Sequence, residues 1–304
     1  MTTAAANLDL DHLSGTVREA ALLSNAERKL LIKRDRWIGY PKATQVLAAL
    51  HEAVAAPTRQ RMGNIMLIGP TNNGKSKIIQ KLVQQCTPTV QPTDRTCTPV
   101  LSLEMPPEPS SNRLYAAILN TLNAPVKSHA RTVDLEFLAI KVMREVEVRA
   151  FVIDEIHNLL SGTARQQRVV LNQLKYLGNQ LRIPLIGVGT GDAWHAIKND
   201  AQLANRFQPL TLPLWELDPD FLSLLVSFGK MFPLRERSYL ADERTAELVL
   251  NRTDRSIGEI TALLEAAAIR AIDEGEERLC YDVIAETAYQ SPNERRMHLD
   301  MVIR

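Results

Sequence analysis

Gly69-Pro70-Thr71-Asn72-Asn73-Gly74-Lys75-Ser76 follows the spacing G-x-x-x-x-G-K-[ST], a set of residue types suited to gripping a polyphosphate. The glycines let the backbone curl so that successive N–H groups face phosphate oxygens at the positive end of the following helix. Lys75 then reaches the β- and γ-phosphates, the Ser76 hydroxyl ligates Mg²⁺, and Lys77 closes the phosphate-binding segment. A second set, Phe151-Val152-Ile153-Asp154-Glu155, is an apolar run ending on two carboxylates. Asp154 at the carboxyl end of a strand would hold Mg²⁺ and its waters, while Glu155 would polarise the attacking water as general base. An Asp-Glu pair alone says little; downstream of a phosphate loop it supplies the other half of one site. ATP and Mg²⁺ are therefore the expected cofactors. The histidines lack the close spacing and acidic partners of a metal site, and His157 reads as a packing or supporting residue.

Such groups work only if strands and helices bring them to one place, and the hydrophobic pattern describes such a scaffold. Asn64–Ile68, Val100–Leu103, Ala150–Ile153, Pro184–Val188 and Pro209–Leu212 read as short apolar strands. Helical patterns at Lys75–Gln85, Asn112–Leu122, Val133–Val146 and Gln166–Leu181 alternate with them, which predicts a parallel sheet covered on both faces. A Thr/Pro-rich loop, Cys86–Pro99, interrupts the series. Beyond Leu214 strand signals stop: Phe221–Phe228, Asp242–Leu250, Ile257–Ile272 and Tyr281–Tyr289 read as four helices, with Ile257, Ile260, Leu264 and Ala267 forming an apolar stripe. Ahead of the sheet, residues 1–25 are weakly patterned, Asn25–Trp37 is a basic amphipathic stretch that reads either as a solvated helix face or as a second candidate DNA surface, and Lys42–Ala55 is another helix.

Composition bounds the rest. The 304 residues are 45% hydrophobic and 23% charged, which excludes a mostly disordered or fibrous chain. With 36 Lys+Arg against 35 Asp+Glu, nucleic-acid binding would have to come from a local patch. Three cysteines without C-x-x-C spacing, Cys86, Cys97 and Cys280, support neither a disulfide framework nor a zinc site. No apolar run reaches the length of a membrane span, and Met1–Leu10 lacks the pattern of a signal peptide, so a cytoplasmic protein is expected.

Taken in order, Arg36-Trp37-Ile38-Gly39-Tyr40-Pro41, the phosphate loop, Asp154-Glu155-Ile156-His157-Asn158, Gly187-Val188-Gly189-Thr190 and Gln202-Leu203-Ala204-Asn205-Arg206-Phe207 resemble the TniB family, from about Asn25 to Arg296. TniB proteins are AAA+ ATPases of bacterial transposons, related to TnsC and MuB. The resemblance implies an AAA+ P-loop NTPase: an N-terminal helical extension (1–56), a five-stranded parallel α/β domain (57–214), a helical lid (215–290) and a tail (291–304). It implies that Thr190 is the sensor-1 residue facing the γ-phosphate and that Arg206 is an arginine finger entering a neighbouring subunit's site. One departure is that Gly258-Glu259-Ile260-Thr261 carries no sensor-2 arginine, leaving slow hydrolysis or an arginine such as Arg255.

Relatives of this type polymerise on duplex DNA. The matching loop is Lys127-Ser128-His129-Ala130-Arg131-Thr132-Val133, in which Lys127, Arg131 and Thr132 are the candidate phosphate contacts. The family's second contact loop corresponds to Pro106–Asn112, where Glu108 weakens the transfer. The expected activity is that of an ATP-dependent, oligomeric DNA-binding regulator that recruits or activates a DDE-type transposase, with a target-selector protein as a further partner. An ATP-gated scaffold with slow hydrolysis, and a helicase-loading or signalling ATPase without a transposase, are the alternatives.

Overall fold

The computed structural model describes residues 9–86, 97–127, 129–198 and 204–303. Most of the Thr/Pro-rich loop, Ser128, Gln202 and Leu203 fall outside these residues. Chain contacts divide the protein into two units, Lys42–Pro213 and Met1–Pro41 together with Leu214–Arg304.

In the first unit, five strands pair through parallel ladders: β1 (Asn64–Ile68), β2 (Val100–Glu104), β3 (Ala150–Asp154), β4 (Leu185–Gly189) and β5 (Phe207–Thr211). Their spatial order is β2-β3-β4-β1-β5. β3 and β4 are almost wholly buried, as continuous apolar strands must be when helices cover both faces. β5 starts earlier than the apolar run from Pro209 suggested. Pro209 is tolerated inside it because, among the described residues, β5 is an edge strand paired with β1. The helices of this unit are α3 (Pro41–Ala55), α4 (Lys75–Gln85), α5 (Ser111–Thr121), α6 (Thr132–Glu145), α7 (Ala164–Leu181) and α8 (Gly191–Lys198), with a 3₁₀ turn at Ile156–Ser161. Met66, Phe151, Ile153, Leu174 and Leu177 meet in its core. Thr163 starts α7 with a reciprocal cap, its hydroxyl accepting from Gln166 N while the Gln166 side chain reaches back.

The second unit is all helical. The patterns beyond Leu214 become α9 (Pro219–Met231), α10 (Glu243–Arg252), α11 (Ile257–Glu274) and α12 (Tyr281–Glu286), followed by α13 (Pro292–Ile303). Asp218 and Asp242 cap α9 and α10 by accepting from Phe221 N (2.8 Å) and Thr245 N (3.0 Å). The stripe Ile257, Ile260, Leu264 and Ala267 is buried against Phe221, Phe228, Val249 and Ile284. At the amino end of the chain lie α1 (Gly15–Ala21) and α2 (Asn25–Ile32); α1 has no strong apolar period and was not anticipated.

The basic stretch Asn25–Trp37 is a solvated face only in part: Lys33 and Arg34 are exposed, while Arg28, Lys29 and Arg36 are engaged within the helical unit. Arg28 is fully buried, and its two terminal nitrogens donate to the Glu277 carboxylate at 2.6 Å each, with a further bond to the Pro233 carbonyl at 3.0 Å. Lys29 pairs with Asp273, and Arg36 donates to the Met231 carbonyl at 2.7 Å. These cations hold α2 to the helical unit. Burial pushes the Glu277 carboxyl up, but the Arg28 guanidinium and the Arg235 amide outweigh it and leave the group below its ordinary range.

Two results are expected. Arg28→Ala leaves the partly buried Glu277 carboxylate with only Arg235 of the partners described above and costs about 3 kcal/mol of stability. Because the folded-state pKa of Glu277 is depressed, its contribution is complete above the unfolded carboxylate pKa of about 4.3 and is lost as pH falls through the folded value. Thermal melts between neutral and acid pH should show that loss in the parent and less of it in Arg28→Ala.

Candidate active site

Each strand of the sheet unit points its carboxyl end the same way, and the chemistry-bearing residues leave from those ends. The phosphate loop runs from β1 into α4. Asn72 (φ 58°) and Gly74 (φ 83°) take left-handed backbone conformations there, which asparagine and glycine accept most readily. Gly69 is needed for space: a Cβ on it would come within 2.9 Å of the Leu212 carbonyl and 3.1 Å of the Leu212 Cβ. The buried Asn73 fastens the loop from the other side, its amide donating to the carbonyls of Leu212 and Pro213, both at 2.9 Å. This contact was not legible in the sequence, since Asn73 fills one of the motif's unspecified places.

Lys75, 6% exposed, donates through Nζ to the carbonyls of Gly69 (2.9 Å) and Pro70 (2.6 Å). Burial lowers its pKa, against the opposing influence of Glu155 and Asp154. The Ser76 hydroxyl donates to Asp154 Oδ2 at 2.7 Å, and Glu155 N donates to Asp154 Oδ1 at 2.8 Å. Residues 76 and 154, far apart in sequence, thus place a hydroxyl and a carboxylate together. That donor set fits a hard divalent cation, which takes oxygen ligands.

Glu155 sits in the left-handed region (φ 49°), so the chain turns sharply as it leaves β3. Its Oε2 lies 3.1 Å from His157 Nδ1, and that ring nitrogen makes no aligned hydrogen bond. His157 packs over Gly189, which places it beside the carboxylate as a support. The pairing Ile68↔Gly189 and the bond from Gly69 N to the Gly189 carbonyl (3.2 Å) put Thr190 alongside the start of the phosphate loop. Glu104, opposite Asp154 in the ladder, adds a third carboxylate to this edge.

Arg206 is not among these groups. Its carbonyl accepts from Asn64 N (2.9 Å), so it stands at the amino ends of β1 and β5. At about 3.3 Å per residue, β1 carries the phosphate loop about 17 Å away. Its guanidinium donates to Asn179 Oδ1 at 3.1 Å. This position excludes it from the site of its own chain.

The candidate DNA contacts lie elsewhere on the same unit. Arg131 is exposed and pairs with Asp134 at 3.0 Å, while the Thr132 hydroxyl donates to Asn112 Oδ1. The latter bond joins the two loops named from the sequence at the amino ends of α5 and α6. Lys127 is exposed. Glu108 is paired with Arg113 at 2.8 Å, so its charge is offset by a cation that the loop boundaries had left out.

A phosphate loop on the first of five parallel strands in the order β2-β3-β4-β1-β5, with a Ser–Asp pair and an adjoining Glu, defines an AAA+ P-loop ATPase. The profile of the family described as bacterial TniB protein matches residues 28–217, and the chain belongs to that family. No curated protein sequence matches the chain. Among solved structures, ORC2 of Aeropyrum pernix in ADPNP and ADP complexes is 16% identical at a TM-score of 0.60, over 85% of this chain and 72% of that one. Aeropyrum pernix ORC1 in complex with DNA is 14% identical at 0.53, over 85% and 68%. The RuvB branch-migration motor of Thermotoga maritima is 15% identical at 0.51, over 84% and 72%. At these identities the likeness is one of fold.

The crowding at Gly69 gives a test. Gly69→Ala must push the phosphate loop off Leu212, and is expected to weaken nucleotide binding about tenfold, a loss of about 1.4 kcal/mol. Titration with a fluorescent ATP analogue, alongside a melt showing a folded protein, checks it.

Proposed function

We propose that this ATPase is a DNA-binding regulator of transposition, which assembles on duplex DNA in an ATP-dependent way and recruits or activates a DDE-type transposase in the bacterial cytoplasm. The observation that carries the reading is the joining of Ser76, Asp154 and Glu155 at the phosphate loop of a TniB-family chain. In this reading Gly69–Lys77 cradles the triphosphate and Lys75 moves from the loop carbonyls onto it. Ser76 and Asp154 would hold Mg²⁺, which neutralises phosphate charge when bound. Glu155 takes a proton from the attacking water, Thr190 orients that water, and Arg206 serves a neighbouring copy. DNA would be gripped at phosphates by Lys127, Arg131 and Thr132. The DNA complex of the archaeal ORC1 supports a DNA role for the fold.

Hydrolysis is expected to be slow. Where a sensor-2 arginine would stand, Glu259 is buried and held by Tyr289 and by Arg295 at 3.1 Å. That observation favours a scaffold whose ATP turnover times its disassembly.

Glu155→Gln is expected to bind ATP as the parent does and to lose turnover by about a hundredfold or more, whereas Lys75→Ala loses both. Parent-rate hydrolysis by Glu155→Gln would remove this residue from the mechanism. For DNA, affinity should fall with salt at a slope of about −0.9 per phosphate contact. Lys127→Ala/Arg131→Ala should flatten that slope and weaken all sequences alike, with basal hydrolysis kept. An unchanged slope in titrations with duplex DNA and an ATP analogue places the DNA site elsewhere.

A further inference from the structure

The amino edge of the sheet carries a feature that the motifs do not explain. Four of its strands are preceded by an arginine within three positions: Arg149 before β3, Arg182 before β4, Arg61 before β1 and Arg206 before β5. The sheet order makes these strands consecutive neighbours. At about 4.8 Å between strands, the starts of β4, β1 and β5 lie within about 10 Å of one another. Arg61 and Arg182 are exposed and make no ion pair or side-chain hydrogen bond among the described residues. Among the described residues, Glu145 and Glu147 are acids ahead of Arg149.

Arg182, like Glu147 at the same edge and Arg255 in the helical unit, takes a left-handed backbone conformation. It ends α7 at φ 55°, ψ 45°, with its N–H on the Gly178 carbonyl. That is the left-handed position at which glycine or asparagine is the least strained choice. Among the described residues its guanidinium makes no ion pair or side-chain hydrogen bond, so its charge is open to an anion.

We infer that Arg61 and Arg182 form, with Arg206, a polyphosphate-binding edge whose ligand is the nucleoside triphosphate held at the carboxyl edge of a second copy of this chain. This rests on the proposed reading of Arg206 as a residue acting on a neighbour. The chain's own triphosphate is excluded as the ligand, because the same rigid strands hold its phosphate loop at their far ends. The edge is also distinct from the DNA candidates, which lie at the amino ends of α5 and α6, tied by Thr132 and Asn112. Its side chains are guanidinium groups, whose planar forks match phosphoryl oxygens two at a time. In the reaction they serve, the water oxygen bonds to the γ-phosphorus while the bridge to the β-phosphate breaks. ADP leaves with the electron pair and the water's proton passes to Glu155 of the copy holding the nucleotide. Positive groups at that point stabilise charge on the γ- and β-oxygens.

The test uses the full chain with duplex DNA and ATP at concentrations that allow assembly. Arg61→Ala/Arg182→Gly removes both charges while relaxing the backbone at 182, so the variant should fold at least as well there. Expected are unchanged binding of a fluorescent ATP analogue by dilute protein and turnover reduced about tenfold or more. Arg182→Lys should recover part of the loss, and Arg149→Ala should match the parent. Mixing the double variant with Lys75→Ala should restore turnover, since the second chain offers an intact edge to the first chain's intact pocket. Parent-level turnover in the double variant, with Arg206→Ala impaired, overturns the inference and leaves the proposed function standing. Parent-level turnover in Arg206→Ala as well overturns both. A flattened salt slope of DNA binding in the double variant and in Arg149→Ala alike makes the edge a DNA surface and also overturns the inference.

Discussion

Parallel strand pairing is the constraint on which the chemistry of the sheet unit depends. In a parallel sheet every carboxyl end emerges on one edge, so loops distant in sequence must meet there, and every amino end emerges on the other. Ser76 after β1, Asp154 and Glu155 at the end of β3 and Thr190 after β4 become neighbours for that reason alone. Arg206, which precedes β5, is sent to the opposite edge by the same rule. The two edges are held apart by the strands, of which β1, β3 and β4 are almost wholly buried. The distance between pocket and arginine is therefore a fixed property of each chain.

How legible each part was in the sequence depended on how local its cause is. The phosphate loop and the strand ending in Asp154-Glu155 are short runs whose meaning lies within ten residues, and they stand where the pattern put them. The boundaries of β5 were less legible because Pro209 argues against a strand unless one knows that the strand is an edge. α1 was missed because Gly15–Ala21 buries little and has no apolar stripe. The role of Arg28 was illegible for a different reason. Its partner Glu277 lies 249 positions away, and a basic amphipathic pattern looks the same whether its cations meet water or a partly buried carboxylate. Asn73 and Asn112 belong to the same class: both bond to groups that only the folded chain brings within reach.

Ion pairs occur in both units. In the helical unit, Arg28–Glu277, Lys29–Asp273 and Arg295–Glu259 are closed pairs in which cations hold one segment against another. At the edges of the sheet several charged groups are left facing outward. A near-zero net charge thus combines cations neutralised within the chain, such as Arg28 and Lys29, with exposed ones such as Lys127 and Arg182.

Asn73 has one further consequence. The two carbonyls it holds, those of Leu212 and Pro213, belong to the last residues of the sheet unit, and the chain enters the helical unit at Leu214. Each amide–carbonyl bond contributes on the order of 1 kcal/mol, and turning the peptide planes at 212 and 213 breaks both. The anchor of the chain where it leaves the sheet unit is thus clamped by a side chain of the phosphate loop itself. Any shift of that loop reaches this exit through two hydrogen bonds and no intermediary.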